Sequence, residues 1–138
     1  MRLGKNGKID LIRRVPLFSR LSKNGLSEVA SIADEIDLPQ GKELTREGER
    51  GREFFVILEG SADVVQKGKR IAQLGEGDFL GEIALVTKQP RTATVTCTSP
   101  VRALVITDRD FAHLLRESPQ IGQGVLEALA ERLAPELS

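Results

Sequence analysis

The 138-residue sequence has little of what several common sites require. It contains one cysteine and one histidine, which excludes an internal disulfide, a thiolate metal cluster and a histidine-rich metal centre. No apolar run approaches the roughly 20 residues of a membrane span. The first eight residues are polar, so we expect no secretory leader. These absences predict a cytoplasmic protein that has neither a metal site nor a membrane-spanning segment.

An excess of one charge is also missing, because 20 Lys and Arg residues balance 20 Asp and Glu residues. A formal net charge of zero argues against a general surface for nucleic acid or anionic membranes. The chain is long enough for about one domain with a buried core. We therefore predict a flexible tail over residues 1–8 and a single domain over residues 9–138, without direct binding to nucleic acid or to a membrane.

Helical patterns lie at both ends of the chain. Ser22 is predicted to cap a helix near the N-terminus, and Ser118 followed by Pro119 predicts the start of a helix that continues to about residue 134. Gly124 lies in an early turn of this last helix, where glycine costs roughly 1 kcal/mol relative to alanine. The apolar residues of the last helix recur every fourth position, at Ile121, Val125, Leu129 and Leu133. This stripe predicts packing on the rest of the domain or against a second copy in a homodimer.

Between the helices, short strand-length segments alternate with turn residues. Residues 54–58 are apolar on both faces, as in a central strand. Residues 92–98 alternate apolar residues with threonine, which places Cys97 on the buried face. The pattern predicts a mainly β fold with flanking helices (α+β): a jelly-roll β-roll, or double-stranded β-helix, preceded by N-terminal helices and followed by a C-terminal helix.

The segment around Gly81 has the pattern of a small-anion site. Gly81 allows a backbone turn that a side chain would obstruct. The amides of Glu82, Ile83 and Ala84 are then expected to open a short helix with unpaired N–H groups, which attract phosphate. Arg91 adds a planar, permanently charged group that can hold two phosphate oxygens.

Glu82 makes the predicted ligand more specific. A carboxylate beside an anion site is unfavourable unless the ligand also offers hydroxyl donors. Glu82 together with Arg91 therefore indicates a ligand with both a sugar and a phosphate, which describes a nucleotide. The alternative for these two residues is a surface ion pair beside a turn.

The sequence Gly81-Glu82-Ile83-Ala84-Leu85, followed by residues 90–95 (Pro-Arg-Thr-Ala-Thr-Val), resembles the phosphate-binding cassette of the cyclic nucleotide-binding domain family. The resemblance extends upstream through residues 48–49, 55–60 and 74–79. It implies that Glu82 holds the ribose 2′-hydroxyl and that Arg91 holds the cyclic phosphate of cAMP or cGMP. Amides of the short helix would complete the cradle, and no cofactor is implied.

The resemblance also implies contacts with the base. Thr92 follows the arginine at a place where a hydroxyl can bond guanine, although relatives that prefer cAMP carry a hydroxyl there too. We therefore expect both nucleotides to bind, with cAMP slightly favoured. Leu74 and the last helix, through Val125, Leu129 and Leu133, are expected to contact the base, so that the last helix acts as a lid.

Two functional classes follow from these residues. The first is a ligand-sensing module that acts on a tethered effector domain or within a homodimer. The second is a degenerate interaction domain with the same fold and an empty pocket, and the presence of Glu82 and Arg91 favours the first. An enzyme would need a nucleophile with a base, or a metal cluster, beside the pocket. The sequence offers neither, so we predict no catalytic residues.

Overall fold

The apolar segments between the glycine turns form two antiparallel sheets. A computed structural model describes residues 3–137, and of residues 83 and 132–137 it describes the backbone only. The strands are β1 (Asp34–Leu38), β2 (Glu43–Thr45), β3 (Glu53–Glu59), β4 (Ala62–Gln66), β5 (Lys69–Leu74), β6 (Phe79–Leu80), β7 (Thr94–Cys97) and β8 (Val101–Thr107). The helices are α1 (Lys5–Arg13), α2 (Lys23–Ser31), α3 (Asp108–Glu117) and α4 (Pro119–Leu137), with 3₁₀ helices at Pro16–Phe18 and Glu82–Leu85.

The two sheets share one hydrophobic core. Their strand orders are β1-β8-β3-β6 and β2-β7-β4-β5. Buried side chains of β3 and β8, such as Ile57 and Ala103, join those of β4 and β7, such as Ala62 and Val95, in a single cluster. Burial of this apolar surface is what holds the sheets face to face. The prediction of a mainly β jelly-roll fold with helices before and after the strands is confirmed.

The central strand and the alternating strand are found as predicted. The β3 strand has a neighbour on both sides, and its residues Phe54 to Ile57 are buried. In β7, Val95 and Cys97 are buried, whereas Thr94 and Thr96 are only half-buried. Burial raises the pKa of the Cys97 thiol, which suits a packed core group rather than a reactive one.

The chain divides into two compact units: a strand unit, Asp34–Asp108, and a helical unit made of the segments before and after it. Within the helical unit, α4 packs on the 3₁₀ helix Pro16–Phe18, and the rings of Phe18 and Phe111 meet edge-on at 5.8 Å. The buried residues of α4 include Ile121, Val125 and Ala128; Leu129 is half-buried and Leu126 is 61% exposed. Among residues 3–137, no helix combines the length and the apolar character needed to cross a membrane.

Serine side chains lie at the start of two helices and have different partners. Ser22 Oγ accepts the N–H of Gly25 at 3.1 Å, so the predicted cap of α2 is confirmed. Ser118 Oγ donates to Glu28 Oε1 at 3.0 Å, while its carbonyl accepts the N–H of Ile121 at 3.0 Å. The Ser118 hydroxyl therefore joins α2 to the start of α4.

The N-terminal helix begins earlier than the sequence indicates. It starts at Lys5, and Lys8 Nζ donates to the carbonyl of Ala33 at 2.8 Å. Residues 5–8, assigned to the tail from their polar sequence, are therefore helical, and the bond from Lys8 ties this first turn to the segment just after α2. The mobility of residues 1–8 and the domain limits remain predictions; residues 1, 2 and 138 lie outside the described residues.

Gly124 has a packing role in α4. A Cβ added at Gly124 would lie 2.6 Å from Leu21 Cδ2, closer than real Cβ contacts allow. The absent side chain therefore lets α4 approach the segment that follows the 3₁₀ helix Pro16–Phe18. The low helix propensity of glycine at this position is compensated by that contact.

Candidate functional site

A glycine turn follows β6 and starts the short 3₁₀ helix. Gly81 has φ +82°, a backbone conformation that favours glycine. The amide of Ala84 donates to the carbonyl of Gly81 at 3.0 Å, so the prediction that this amide is unpaired is wrong. A 3₁₀ helix closes its bonds from residue i+3 to residue i, so the Gly81 carbonyl uses the Ala84 amide, one residue earlier than in an α-helix. The predicted cradle therefore loses the Ala84 amide.

Arg91 is fixed at its backbone by the loop before β3. Its N–H donates to the carbonyl of Glu49 at 2.7 Å, and its carbonyl accepts the N–H of Gly48 at 2.9 Å. The preceding residue, Pro90, forms an isolated β-bridge with Arg50. These backbone contacts hold the Cα of Arg91, and therefore the base of its side chain, in place without a ligand.

The guanidinium of Arg91 is half-buried, and Nη2 donates to the backbone carbonyl of Glu53. Burial lowers the pKa of Arg91 below its usual value, while the Glu53 carboxylate acts in the opposite direction. An arginine nevertheless stays protonated in a folded protein. The site thus offers a permanent cation that is partly removed from water, where its attraction to an anion is stronger than in bulk solvent.

Two adjoining cavities open beside Arg91. The first has a volume of about 470 Å³ and the second about 250 Å³, comparable with the roughly 300–1,000 Å³ of small-molecule pockets. Both are lined by Phe79, Leu80, Gly81, Arg91 and Thr92. The first cavity adds Glu82, Ala84, Thr87, Gln89 and Pro90, and the second adds Thr45, Val64, Leu74, Ala93 and Val95. Both cavities have mainly apolar walls, and they meet at Arg91.

A larger cavity of about 700 Å³ lies on the side of Gly51 and also includes Arg91. Charged side chains of this cavity pair with one another: Arg46 bonds Glu43 and forms an ion pair with Glu49 at 3.7 Å. These side chains are exposed and solvated, so we place the candidate site in the two smaller cavities.

Three further residues of the predicted site, Glu82, Leu74 and Thr92, line these two cavities. Glu82 is 8% exposed and lines the first cavity, while Leu74, at the end of β5, lines the second. Thr92 lines both, and its carbonyl accepts a hydrogen bond from Gln66 Nε2 at 3.1 Å. The structure therefore brings Gly81, Glu82, Ala84, Arg91, Thr92 and Leu74 around one pair of cavities.

The predicted lid residues belong to the helical unit. Val125 is buried and Leu129 half-buried in α4, and the side chain of Leu133, like that of Ile83, lies outside the described residues. Their contact with a ligand remains a prediction.

Sequence reasoning missed two positions beside Arg91, namely Gly51 and the carbonyl of Glu53. The pair Arg50-Gly51 lies between two strand-length segments, a position that is typical of a turn. Turn geometry explains Gly48 and Gly81, which have φ of +86° and +82°, but Gly51 is not among the positive-φ glycines. No sequence pattern encodes the acceptor at Glu53, since any residue carries a carbonyl.

Residues 35–118 match the model of the cyclic nucleotide-binding domain. The chain belongs to this family. Domains of the family bind cyclic nucleotides and are regulatory, so the recognition made from the cassette residues is confirmed.

Related members of the cyclic nucleotide-binding domain family occur in larger proteins. A cyclic nucleotide-gated potassium channel from Rhizobium etli is 34% identical over 122 residues, which cover 88% of this chain and 34% of the channel. A cAMP-dependent protein kinase regulatory subunit from Mycosarcoma maydis is 38% identical over 134 residues, 88% of this chain and 23% of the subunit. The chain thus spans about a third or less of these relatives.

Among solved structures, the N-terminal domain of a transcriptional regulator from Streptomyces coelicolor is similar over 92% of both chains. Its TM-score is 0.82 and its sequence identity 30%. The similarity supports the fold assignment over nearly the whole chain.

Proposed function

We propose that the domain senses a 3′,5′-cyclic purine nucleotide in the cavities beside Arg91. The observation that carries the proposal is the half-buried Arg91 guanidinium, which is bonded to the Glu53 carbonyl and shares a cavity with the Gly81 turn and the buried Glu82. A phosphate at Arg91 would accept two charge-assisted hydrogen bonds from the guanidinium.

Glu82 is assigned to the ribose. Its carboxylate is an acceptor without a donor when ionised, so it repels a phosphate but can accept the proton of a 2′-hydroxyl. A cyclic nucleotide places its phosphate and its 2′-hydroxyl on one rigid ring system, which suits an arginine and a carboxylate lining the same cavity. The purine would occupy the second cavity, where Leu74, Val64 and Val95 offer apolar contacts.

Thermal unfolding tests this function directly. A ligand that binds only the folded state raises the melting temperature according to its concentration relative to Kd. We expect cAMP and cGMP at 100 times Kd to stabilise the domain by about 2.7 kcal/mol, and 5′-AMP at the same concentration to stabilise it far less. Absence of any shift with both cyclic nucleotides would favour the alternative of an interaction domain with an empty pocket.

We propose cAMP as the preferred ligand, with cGMP also binding. A Mycosarcoma maydis relative is a cAMP-dependent protein kinase regulatory subunit, and the Thr92 hydroxyl, which can bond guanine, allows cGMP to bind as well. One hydrogen bond is worth about 0.5–1.5 kcal/mol net.

Replacing Thr92 by alanine is expected to weaken cGMP binding more than cAMP binding, by about 0.5–1.5 kcal/mol. Thr98→Ala is the matched control, because Thr98 is exposed and its hydroxyl bonds Ser61 at 2.7 Å instead of lining either cavity. Competition binding with the two nucleotides gives the ratio of the cGMP and cAMP affinities in each variant. An unaltered ratio in the Thr92 variant means that Thr92 does not select the base.

We further propose that α4 transmits binding to a tethered effector. Leu129 is only half-buried within the helical unit, whereas Val125 is buried. A helix can respond to ligand only if it interacts differently in the free and bound states.

Saturating cAMP is expected to slow amide hydrogen exchange over residues 125–131, and Leu129→Ala is expected to weaken cAMP binding by about 1 kcal/mol or more. Leu126→Ala is the matched control, since Leu126 lies on the same helix and is 61% exposed. Unchanged exchange together with equal affinities of the two variants would eliminate a lid role.

A regulatory domain of this kind carries no chemistry of its own, and we propose that it works in the cytoplasm.

A further inference from the structure

Gly51 is buried directly against the guanidinium of Arg91. A Cβ built on Gly51 would collide with Nε, lie 2.5 Å from Cζ and lie 2.7 Å from Cδ of Arg91. Real Cβ atoms essentially never approach other heavy atoms within 3.0 Å. Any side chain at this position therefore displaces the charged end of Arg91.

The backbone at Gly51 does not itself require glycine. Gly51 is absent from the positive-φ residues, in contrast to Gly48 at +86° and Gly81 at +82°. Alanine can adopt the φ of Gly51 without the strain of a left-handed conformation. The space needed by Arg91 is thus the steric reason for glycine at position 51.

Gly81 borders the same guanidinium. A Cβ on Gly81 would collide with Arg91 Nη1 and lie 2.7 Å from the carbonyl oxygen of Glu53. That carbonyl is also the acceptor of Arg91 Nη2. Two glycines and one carbonyl, contributed by two separate segments of the strand unit, therefore confine the guanidinium.

We propose that Gly51 is a positioning residue of the anion site: its missing side chain lets the Arg91 guanidinium lie flat against the backbone and point its free N–H groups into the cavity beside Gly81. The inference deepens the proposed function and rests on it. Arginine loses little further freedom on binding when it is held in this way, so a phosphate meets a preorganised fork.

The test compares Gly51→Ala with Gly75→Ala. Gly75 is the matched control because its φ is not positive and a Cβ there meets nothing within 4 Å. We expect Gly51→Ala to weaken cAMP binding at least roughly tenfold, the loss of one charge-assisted hydrogen bond, and Gly75→Ala to change it less than about twofold. Equal affinity of wild type and Gly51→Ala would overturn the proposal.

A double-mutant cycle separates positioning from a general effect on folding. Arg91→Lys removes the planar group that the new methyl would strike, so Gly51→Ala should cause little further loss of affinity in the Arg91→Lys background. Any melting-temperature decrease caused by Gly51→Ala should likewise be largely restored by Arg91→Ala. Losses that simply add would show that Gly51 acts independently of Arg91, contrary to the proposal.

One readout does not depend on nucleotide binding. The Nε–Hε resonance of Arg91, assigned by its absence in Arg91→Lys, should shift in Gly51→Ala and stay in place in Gly75→Ala. If the wild type bound no cyclic nucleotide, the proposed function would fail, yet this resonance would still decide whether Gly51 positions Arg91. A resonance that stays in place in Gly51→Ala contradicts the inference.

Discussion

Arg91→Ala is expected to weaken cAMP binding by about 2–4 kcal/mol, the range for truncating one partner of a charge-assisted contact. The variant removes a half-buried cation whose backbone is held by Glu49 and Gly48 and whose side chain bonds the Glu53 carbonyl. The anion then loses a bidentate donor that was oriented before binding. Calorimetric titration of wild type and variant measures the difference.

Two further variants make the Arg91 prediction specific. Arg91→Lys should recover only part of the affinity, since an ammonium is a point charge and cannot reproduce the planar fork. Arg70→Ala is the matched control, because Arg70 is 63% exposed on β5, where it pairs with Asp63 at 3.6 Å, and lines neither cavity. Full affinity of Arg91→Ala for cAMP, or an equal loss of affinity in Arg70→Ala, would show that general positive charge rather than Arg91 binds the phosphate.

Glu82→Ala is expected to weaken cAMP binding by about 1.5–3 kcal/mol, the worth of a hydrogen bond to a charged group. The carboxylate is 8% exposed and lines the same cavity as Arg91, so little water is present to replace it. Binding of the 2′-deoxy analogue of cAMP should be weakened much less, because the analogue has no 2′-hydroxyl to donate a hydrogen bond to Glu82.

The comparison of cAMP with its 2′-deoxy analogue therefore decides the role of Glu82. In the wild type cAMP should bind more tightly than the analogue, and in Glu82→Ala the advantage should nearly vanish. Glu76→Ala is the control, because Glu76 lies in the exposed turn before β6, and this variant should keep the preference for cAMP over the analogue. A ribose preference that persists in Glu82→Ala would mean that another group holds the 2′-hydroxyl.

Local sequence patterns were sufficient to predict the strand unit. Residues 54–57 are apolar on both faces because the side chains on both faces of β3 are buried, and Cys97 falls on the buried phase of β7. Gly81 and Arg91 were identified because the cassette is contiguous in sequence. Such features depend on the residue itself and its near neighbours, which the sequence displays.

Features that depend on close approach between distant segments could not be predicted. Gly51 contacts Arg91 from 40 positions earlier in the chain, and Gly124 similarly accommodates Leu21. The partner of Ala84 depends on whether the short helix closes as 3₁₀ or α, a difference of one residue in hydrogen-bond spacing. Lys8 lies in α1 and bonds the Ala33 carbonyl, a distant partner that its polar neighbourhood gives no reason to expect.

The most direct test of the central claim is a calorimetric titration of the domain with cAMP and, separately, with 5′-AMP. Both ligands contain adenine, ribose and a 5′-phosphate. In cAMP the phosphate is also esterified to the 3′-oxygen, next to the 2′-hydroxyl, whereas in 5′-AMP it is not. With Arg91 and Glu82 lining one cavity, cAMP is expected to bind with at least tenfold higher affinity, about 1.4 kcal/mol. Equal or tighter binding of 5′-AMP, or no binding heat with either cAMP or cGMP at any temperature tested, would contradict the account.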